Sequence, residues 1–398
     1  MVSAPITGEL CIKCKGRLFC GLRKCPIYEK NYAKVNVINN LKKDFRSFTN
    51  SVFVGWGDYP NVFAGVLTPI NNDSTPDNPH QWVNNRLSIN DIMNYRVGLV
   101  NSRSRTHVKQ SSIFKETVQL SALSSKPLNI DVSLKDKPKL SISFNQFSPP
   151  MGPTGEVVKA TLIDNPSIPR VVSKVFDDYD FKASEAMVYL NKKLSEYDIS
   201  KLLSAGTLGV KIERKLVPTR WAITATDDTL AKECLTRVRN YSMIDKAIVF
   251  NGSYFGNIFT VLLMPGPWSY ELFEIWNPGA VYTSTQVKVS TDFEGYWGRK
   301  NYASETGGGY YASRLPVVKW LDDHKIQASV VAIRIVTPDY YMPLGVWVVR
   351  QAITNALESK TEFNDLKLAK QYVQQLTNFD LRRSRLASNT QSRLNKFF

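Results

Sequence analysis

The sequence predicts a mixed α/β or α+β fold: a small N-terminal cysteine-rich unit, a large body of helices and strands, and a flexible C-terminal tail. Three observations predict it. Apolar runs of strand length alternate with stretches of helical periodicity, and both ends of the chain depart from either pattern. The 398 residues are 43% hydrophobic and 22% charged, an ordinary globular composition with ample material for a core.

Residues 1–30 hold four of the five cysteines, Cys11, Cys14, Cys20 and Cys25, in the pattern C-x2-C-x5-C-x4-C. Loops this tight would strain disulfides, whereas four thiolates so close together suit one tetrahedral Zn²⁺ whose binding supplies folding energy. An iron–sulfur cluster and free thiols are the alternatives, because Cys₄ sets serve more than one metal. Lys13, Lys15, Arg17, Arg23 and Lys24 surround the cysteines with no acid among them. They offset the −2 charge of a Zn²⁺–thiolate site. Cys234 lies elsewhere, on the apolar stripe of an expected helix, and reads as a small core residue.

Residues 31–378 read as the body. Asn71–Pro79 is a surface loop, and the proline-rich Phe147–Pro153 is a candidate subdomain seam near 147–153. Helical spacing appears at Ala183, Ala186, Met187, Leu190 and Leu194, and further helices are expected at 228–240, 345–357 and 364–377. Strands are expected at Leu208–Val217, Ala222–Thr226 and Ala328–Val336, and at Ala247–Phe250 and Ile258–Met264 around an Asn251-Gly252 turn. The long uncharged stretch between Lys246 and Glu271 is broken by Asn251, Gly252, Pro265 and Pro267, so no membrane span is expected. No signal peptide is visible, and an intracellular, cytoplasmic protein is the expectation.

Lys and Arg outnumber Asp and Glu by 51 to 35, a formal charge of +16 with pI near 9.5. Such a field favours polyanions, nucleic acid first, and implies nucleoid association. Residues 379–398 form a basic, polar stretch without an evident core face. Within it Gln391, Leu394, Phe397 and Phe398 follow Q-x-x-h-x-x-a-a, and one 3₁₀ turn would gather the three apolar groups on one side. That spacing resembles the PIP peptides that dock on the sliding clamp PCNA.

Four body stretches stand out: Arg214–Asp228, Glu271–Trp276, Gly298–Arg314 and Pro343–Arg350. In the third, Gly307, Gly308 and Gly309 precede an expected helix start at Tyr310, so their N–H groups suit a phosphate. Arg299 and Lys300 add charge, and Tyr310 and Tyr311 add stacking faces suited to single-stranded or damaged DNA, or to a nucleotide. Plain packing is the competing reading. Asp227 with Asp228, and Asp177 with Asp178 and Asp180, suit either helix capping or Mg²⁺. With the cysteine pattern and Asn101-Ser-Arg-Ser-Arg-Thr, these stretches closely resemble the archaeal Nre family over nearly the whole chain. The resemblance implies a DNA-repair protein acting with the clamp. A DNA-processing enzyme, either a nuclease or a hydrolase of a nucleotide-like adduct such as ADP-ribose, is the alternative. Its candidate residues are Arg103, Arg220, Asp227, Glu271, Glu274 and Arg314, and they would have to meet in one cleft.

Overall fold

The structure is a computed structural model describing residues 13–19, 24–49, 51–71, 74–75, 77–141, 149–280 and 286–388. Helices and strands mix throughout, as the pattern predicts. Contacts divide the chain into two units, one spanning Pro26–Leu230 and the other uniting the described residues up to Cys25 with those from Ala231 onward.

The first unit is built on a six-stranded sheet of β1 (Asp44–Phe48), β2 (Ser51–Val54), β3 (Asn61–Pro69), β4 (Leu99–His107), β5 (Asn129–Leu134) and β6 (Thr154–Leu162), in the order β1-β5-β6-β4-β3-β2. Its helices are α1 (Pro26–Val37), α2 (Pro79–Asn84), α3 (Ile89–Val97), α4 (Ile113–Leu123), α5 (Arg170–Asp177), α6 (Ala183–Leu190), α7 (Glu196–Ser204) and α8 (Thr219–Val238), the last crossing the unit boundary. Caps fix several starts. Ser88 and Asp91 form a capping box on α3, and the Ser112 hydroxyl accepts from Lys115 N–H on α4. Period-two alternation sends Val66, Ile130, Val132 and Leu134 to one face, where they pack against Val118 and Ala122 of α4.

Four expectations fail in this unit. Phe147–Pro153 is no seam: β5 and β6 on either side of it pair antiparallel in one sheet, and the division falls at Leu230 instead. Ala222–Thr226 is helix, not strand, and Leu208–Val217 is irregular apart from one 3₁₀ turn at Lys211–Glu213. Asp227 and Asp228 are therefore interior to α8 and do not cap it.

The second unit carries β7 (Ser242–Met243), β8 (Ala247–Tyr254), β9 (Asn257–Met264), β10 (Ser269–Trp276), β11 (Lys288–Glu294), α9 (Gly308–Asp323), β12 (Ile326–Gln327), β13 (Ser329–Val336), α10 (Trp347–Ala356), β14 (Lys360–Phe363) and α11 (Leu366–Thr377). Its main sheet runs β11-β10-β13-β9-β8-β14, with β10 and β13 parallel. Phe259, Val261 and Leu263 of β9 share a core with residues of α9 and α10, while Leu262 and Met264 join Ala369 and Val373 of α11 on the other face. The expected Cys234 is buried in the first of these cores. The β8–β9 turn uses Phe255 and Gly256, both at positive φ, rather than Asn251-Gly252. Gly252 serves packing instead, since a Cβ there would lie 2.6 Å from the Ala356 Cα.

The tail begins later than its polarity suggests. Phe379, Leu381 and Ala387 are buried in the core beneath α11. The Glu271 carboxylate accepts from Ser384 Oγ (2.6 Å), Arg385 N–H (3.1 Å) and Leu386 N–H (3.3 Å). A buried carboxylate thus holds a basic strap to the sheet, and removing it takes away an acceptor from three donors, of which Leu386 N–H keeps a second one in Ser384 Oγ. Glu271→Ala should lower global stability by about 1.5–3 kcal/mol and speed amide exchange at Ser384–Ala387. Unchanged protection of those four amides in the variant would show that apolar burial alone secures the strap.

Candidate functional site

Within the second unit the named residues Glu271, Glu274 and Arg314 are tied into separate internal contacts. Along β10, Glu271 and Glu274 point to opposite faces, as residues three apart in a strand must. Glu274 lies on the α9 side, where Arg334 donates to it at 2.5 Å and also reaches Asn257 Oδ1. Burial pushes the Glu274 carboxyl above its ordinary range, against the pull of Arg334. Arg314 donates to Glu294 at 2.6 Å with both side chains almost fully buried. Arg220 lies over the Trp56 ring at 5.1 Å on the first unit, and Asp227 is buried there. Glu271, Glu274, Arg314 and Asp227 are thus buried inside their own units, while Arg220 is exposed.

The glycine block does open a helix, with Gly307 at φ 56° preceding Gly308. At Gly309 and the tyrosines after it, however, the surroundings leave no room for a ligand. A Cβ on Gly309 would lie 2.5 Å from Glu274 Oε1, and Tyr310 and Tyr311 are buried. Arg299 is held by Asp292 at 3.0 Å and by the Phe293 carbonyl at 2.8 Å. The packing reading therefore replaces the phosphate reading for Gly309, Tyr310, Tyr311 and Arg299. Lys300 remains exposed, as do Trp297 and Tyr302. Asp177, Asp178 and Asp180 are exposed at the end of α5; among the described residues no three metal-type side chains gather.

Arg103 is different. It stands on β4, half-buried, with its guanidinium 4.5 Å from the Phe63 ring centroid, and burial lowers its pKa from the ordinary arginine value. Among the described residues no carboxylate comes within ion-pair distance of it. A cavity of about 220 Å³ opens beside it, lined also by Asp136, Lys137, Lys139, Thr154 and Glu156. Two residues back on the same face, Asn101 is buried with neither amide atom hydrogen-bonded; Ser102, facing the other way, buries an unpartnered Oγ. Buried polar groups are nearly always satisfied, so these orphans mark places for a bound water or ligand group. Asn101, Lys137 and Lys139 were missed as site residues. The signal was present in the alternation of Asn101, Arg103 and Arg105, which puts polar groups on one face of a strand.

Cys14 and Cys25 are buried and half-buried. Phe19 N–H donates to Cys14 Sγ at 3.3 Å, and Arg17 N–H to the Cys14 carbonyl at 2.9 Å. Lys15, Gly16 and Leu18 take positive φ in this turn. A backbone N–H aimed at sulfur in a tight turn of positive-φ residues suits a metal ligand at Cys14. Cys11 and Cys20, like Gln391, Leu394, Phe397 and Phe398, lie outside the described residues. No described helix is long and apolar enough to cross a membrane.

Two family models match, Archaeal Nre, N-terminal, over residues 19–283 and Archaeal Nre, C-terminal, over 294–397. The chain is 36% identical over 378 residues to the DNA repair protein NreB of Archaeoglobus fulgidus, covering 94% of each chain. It is 37% identical over 323 residues to the DNA repair protein NreA of Haloferax volcanii, covering 78% of this chain and 77% of that one. It is likewise 37% identical over 360 residues to NreA of Archaeoglobus fulgidus, covering 88% and 89%. No solved structure matches. The chain belongs to the archaeal Nre family.

Proposed function

We propose that the protein is a DNA-repair factor that grips the DNA backbone through the Arg103 face of its first sheet and is recruited by the sliding clamp PCNA. Family relatives carrying the name DNA repair protein support the general role. The observation that carries the contact surface is Arg103 itself, a half-buried cation over Phe63 that no described carboxylate reaches at ion-pair distance, although Asp136 and Glu156 line the same cavity. Lys137 and Lys139 share its cavity, so its three cations outnumber the two carboxylates there, and a phosphate would pair directly with the Arg103 guanidinium. The proposed cofactor is one structural Zn²⁺ on Cys11, Cys14, Cys20 and Cys25, which would supply the folding energy of that short unit.

DNA affinity should fall steeply with salt, because neutralised phosphates release counterions. Arg103→Ala should weaken binding alike across sequences and reduce the salt slope by about one. An unchanged slope in that variant sinks the Arg103 contact. Elemental analysis should find one zinc per chain and lose it in Cys11→Ser with Cys25→Ser; an iron-containing sample would falsify the zinc assignment. Phe397→Ala with Phe398→Ala should weaken clamp binding by at least about a thousandfold, because a short docking peptide draws its affinity from a few buried groups. Clamp affinity in calorimetry equal to that of the wild type would remove recruitment from the model.

A further inference from the structure

We propose that the opening between β4 and β6 is a pocket for a single nucleotide unit, with its phosphate on a cationic rim and its base on an apolar floor beneath α4. The two strands pair for only three residues, 101–103 with 154–156. Beyond that point β4 follows β3 and β6 follows β5, whose register shifts at Ser133/Leu134. The sheet parts, leaving a cavity of about 390 Å³. That size lies within the range of small-ligand sites, about 300–1,000 Å³.

Its lining is divided as a nucleotide is divided. Lys159 and Arg105 stand at the mouth, on the same sheet face as Arg103, and Lys115 stands at the start of α4. Phe114, Val118 and Val157 form the floor on the other side. No acidic residue lines the cavity. Arg105 meets only an exposed carboxylate, Asp58 at 3.6 Å, a contact of small energy. Lys115 Nζ donates to the Val108 carbonyl at 3.2 Å, and burial lowers its pKa from the ordinary lysine value with no carboxylate to restore it. A half-buried cation without an anion is the feature a phosphate would complete. Ser102, fully buried with an unpartnered Oγ, lies on the same face of β4 as Ser104, which lines the cavity. The floor's aromatic and branched groups suit the faces of a base, and Ser104 and Thr106 suit its polar edges.

The source of the nucleotide rests on the DNA reading: a strand lying along the Arg103 face could pass one unit between β4 and β6. A free nucleoside monophosphate is the other source, and the experiment separates them. Full-length zinc-loaded protein would be studied by hydrogen exchange with dAMP, with inorganic phosphate, and with a short single strand carrying one 2-aminopurine. dAMP should slow exchange at 104–106, 112–115 and 157–161, whereas phosphate should protect only 112–115. The oligonucleotide should protect all three stretches and change its 2-aminopurine fluorescence on binding. Lys159→Gln, at an exposed position, should weaken dAMP by about tenfold, the loss of one charge-assisted contact. Ser104→Phe should abolish the protection by filling the space. If the oligonucleotide binds in an Arg103-dependent manner while neither it nor dAMP protects these stretches, the pocket is refuted and the DNA reading stands. If dAMP protects them and no oligonucleotide binds, the pocket stands as a free-nucleotide site and the DNA reading falls. Equal protection by phosphate and dAMP overturns the base-binding floor.

Discussion

Everything distinctive in the first unit follows from how briefly β4 and β6 stay together. Parallel neighbours normally run side by side over their length, each satisfying the other's backbone. Here Gly155, at the centre of the contact, leaves room for the Leu134 side chain of β5, which a Cβ would approach within 2.5 Å, and β4 and β6 part after three pairs. After the split, β4 is held by nine residues of β3, and β6 by β5 across an irregular register. The sheet survives because each strand keeps one full partner. The gap is what exposes Ser104 and Thr106 from the side, while alternation along β4 keeps Arg103 and Asn101 on the outer face.

The second unit solves a different problem, which is how to bury charge. Two ion pairs, Glu274 with Arg334 and Glu294 with Arg314, lie among apolar side chains where desolvation is expensive. Each is completed by further polar neighbours. Asn257 takes two donors from Arg334, and Trp268 Nε1–H donates to Glu294. Gly309 admits the Glu274 carboxylate to the first turn of α9, where helix N–H groups favour negative charge. The unusual composition of the Glu271–Trp276 and Gly298–Arg314 stretches thus serves, in large part, buried ion pairs and the packing around them.

That outcome marks the border of what sequence can show. Apolar periodicity located β9, β13, α10 and α11, because burial imposes a period regardless of context. It failed at Ala222–Thr226, where Thr, Ile and Trp favour strands locally but tertiary packing holds one helix from Thr219 to Val238. Arg103 could be named as a candidate, since polar residues recur along its strand. Its lack of a carboxylate could not be known, because the surroundings come from Phe63, Lys137 and Thr154, all distant in the chain. Glu271 shows the same limit: its partners, Ser384 to Leu386, lie more than a hundred residues away. Read alone, those partners look like solvated tail.

The anchored strap changes what recruitment by a clamp would mean. Residues up to Ser388 are described, and 379–387 are fixed through Phe379, Leu381, Ala387 and the Glu271 carboxylate. Only two residues then separate Ser388 from Gln391. A chain of that length spans roughly 10 Å at most. A clamp bound to the peptide would stay within that reach of the strap, rather than roam at the end of a twenty-residue tether. Short tethers raise the effective concentration of the second binding partner, and the gain falls as the linker lengthens. Clamp and DNA bound to one chain would then reinforce one another through effective concentration, without any new contact between them. The weak, salt-sensitive grip proposed for a backbone-reading face would gain from a clamp that had already brought the protein to its substrate.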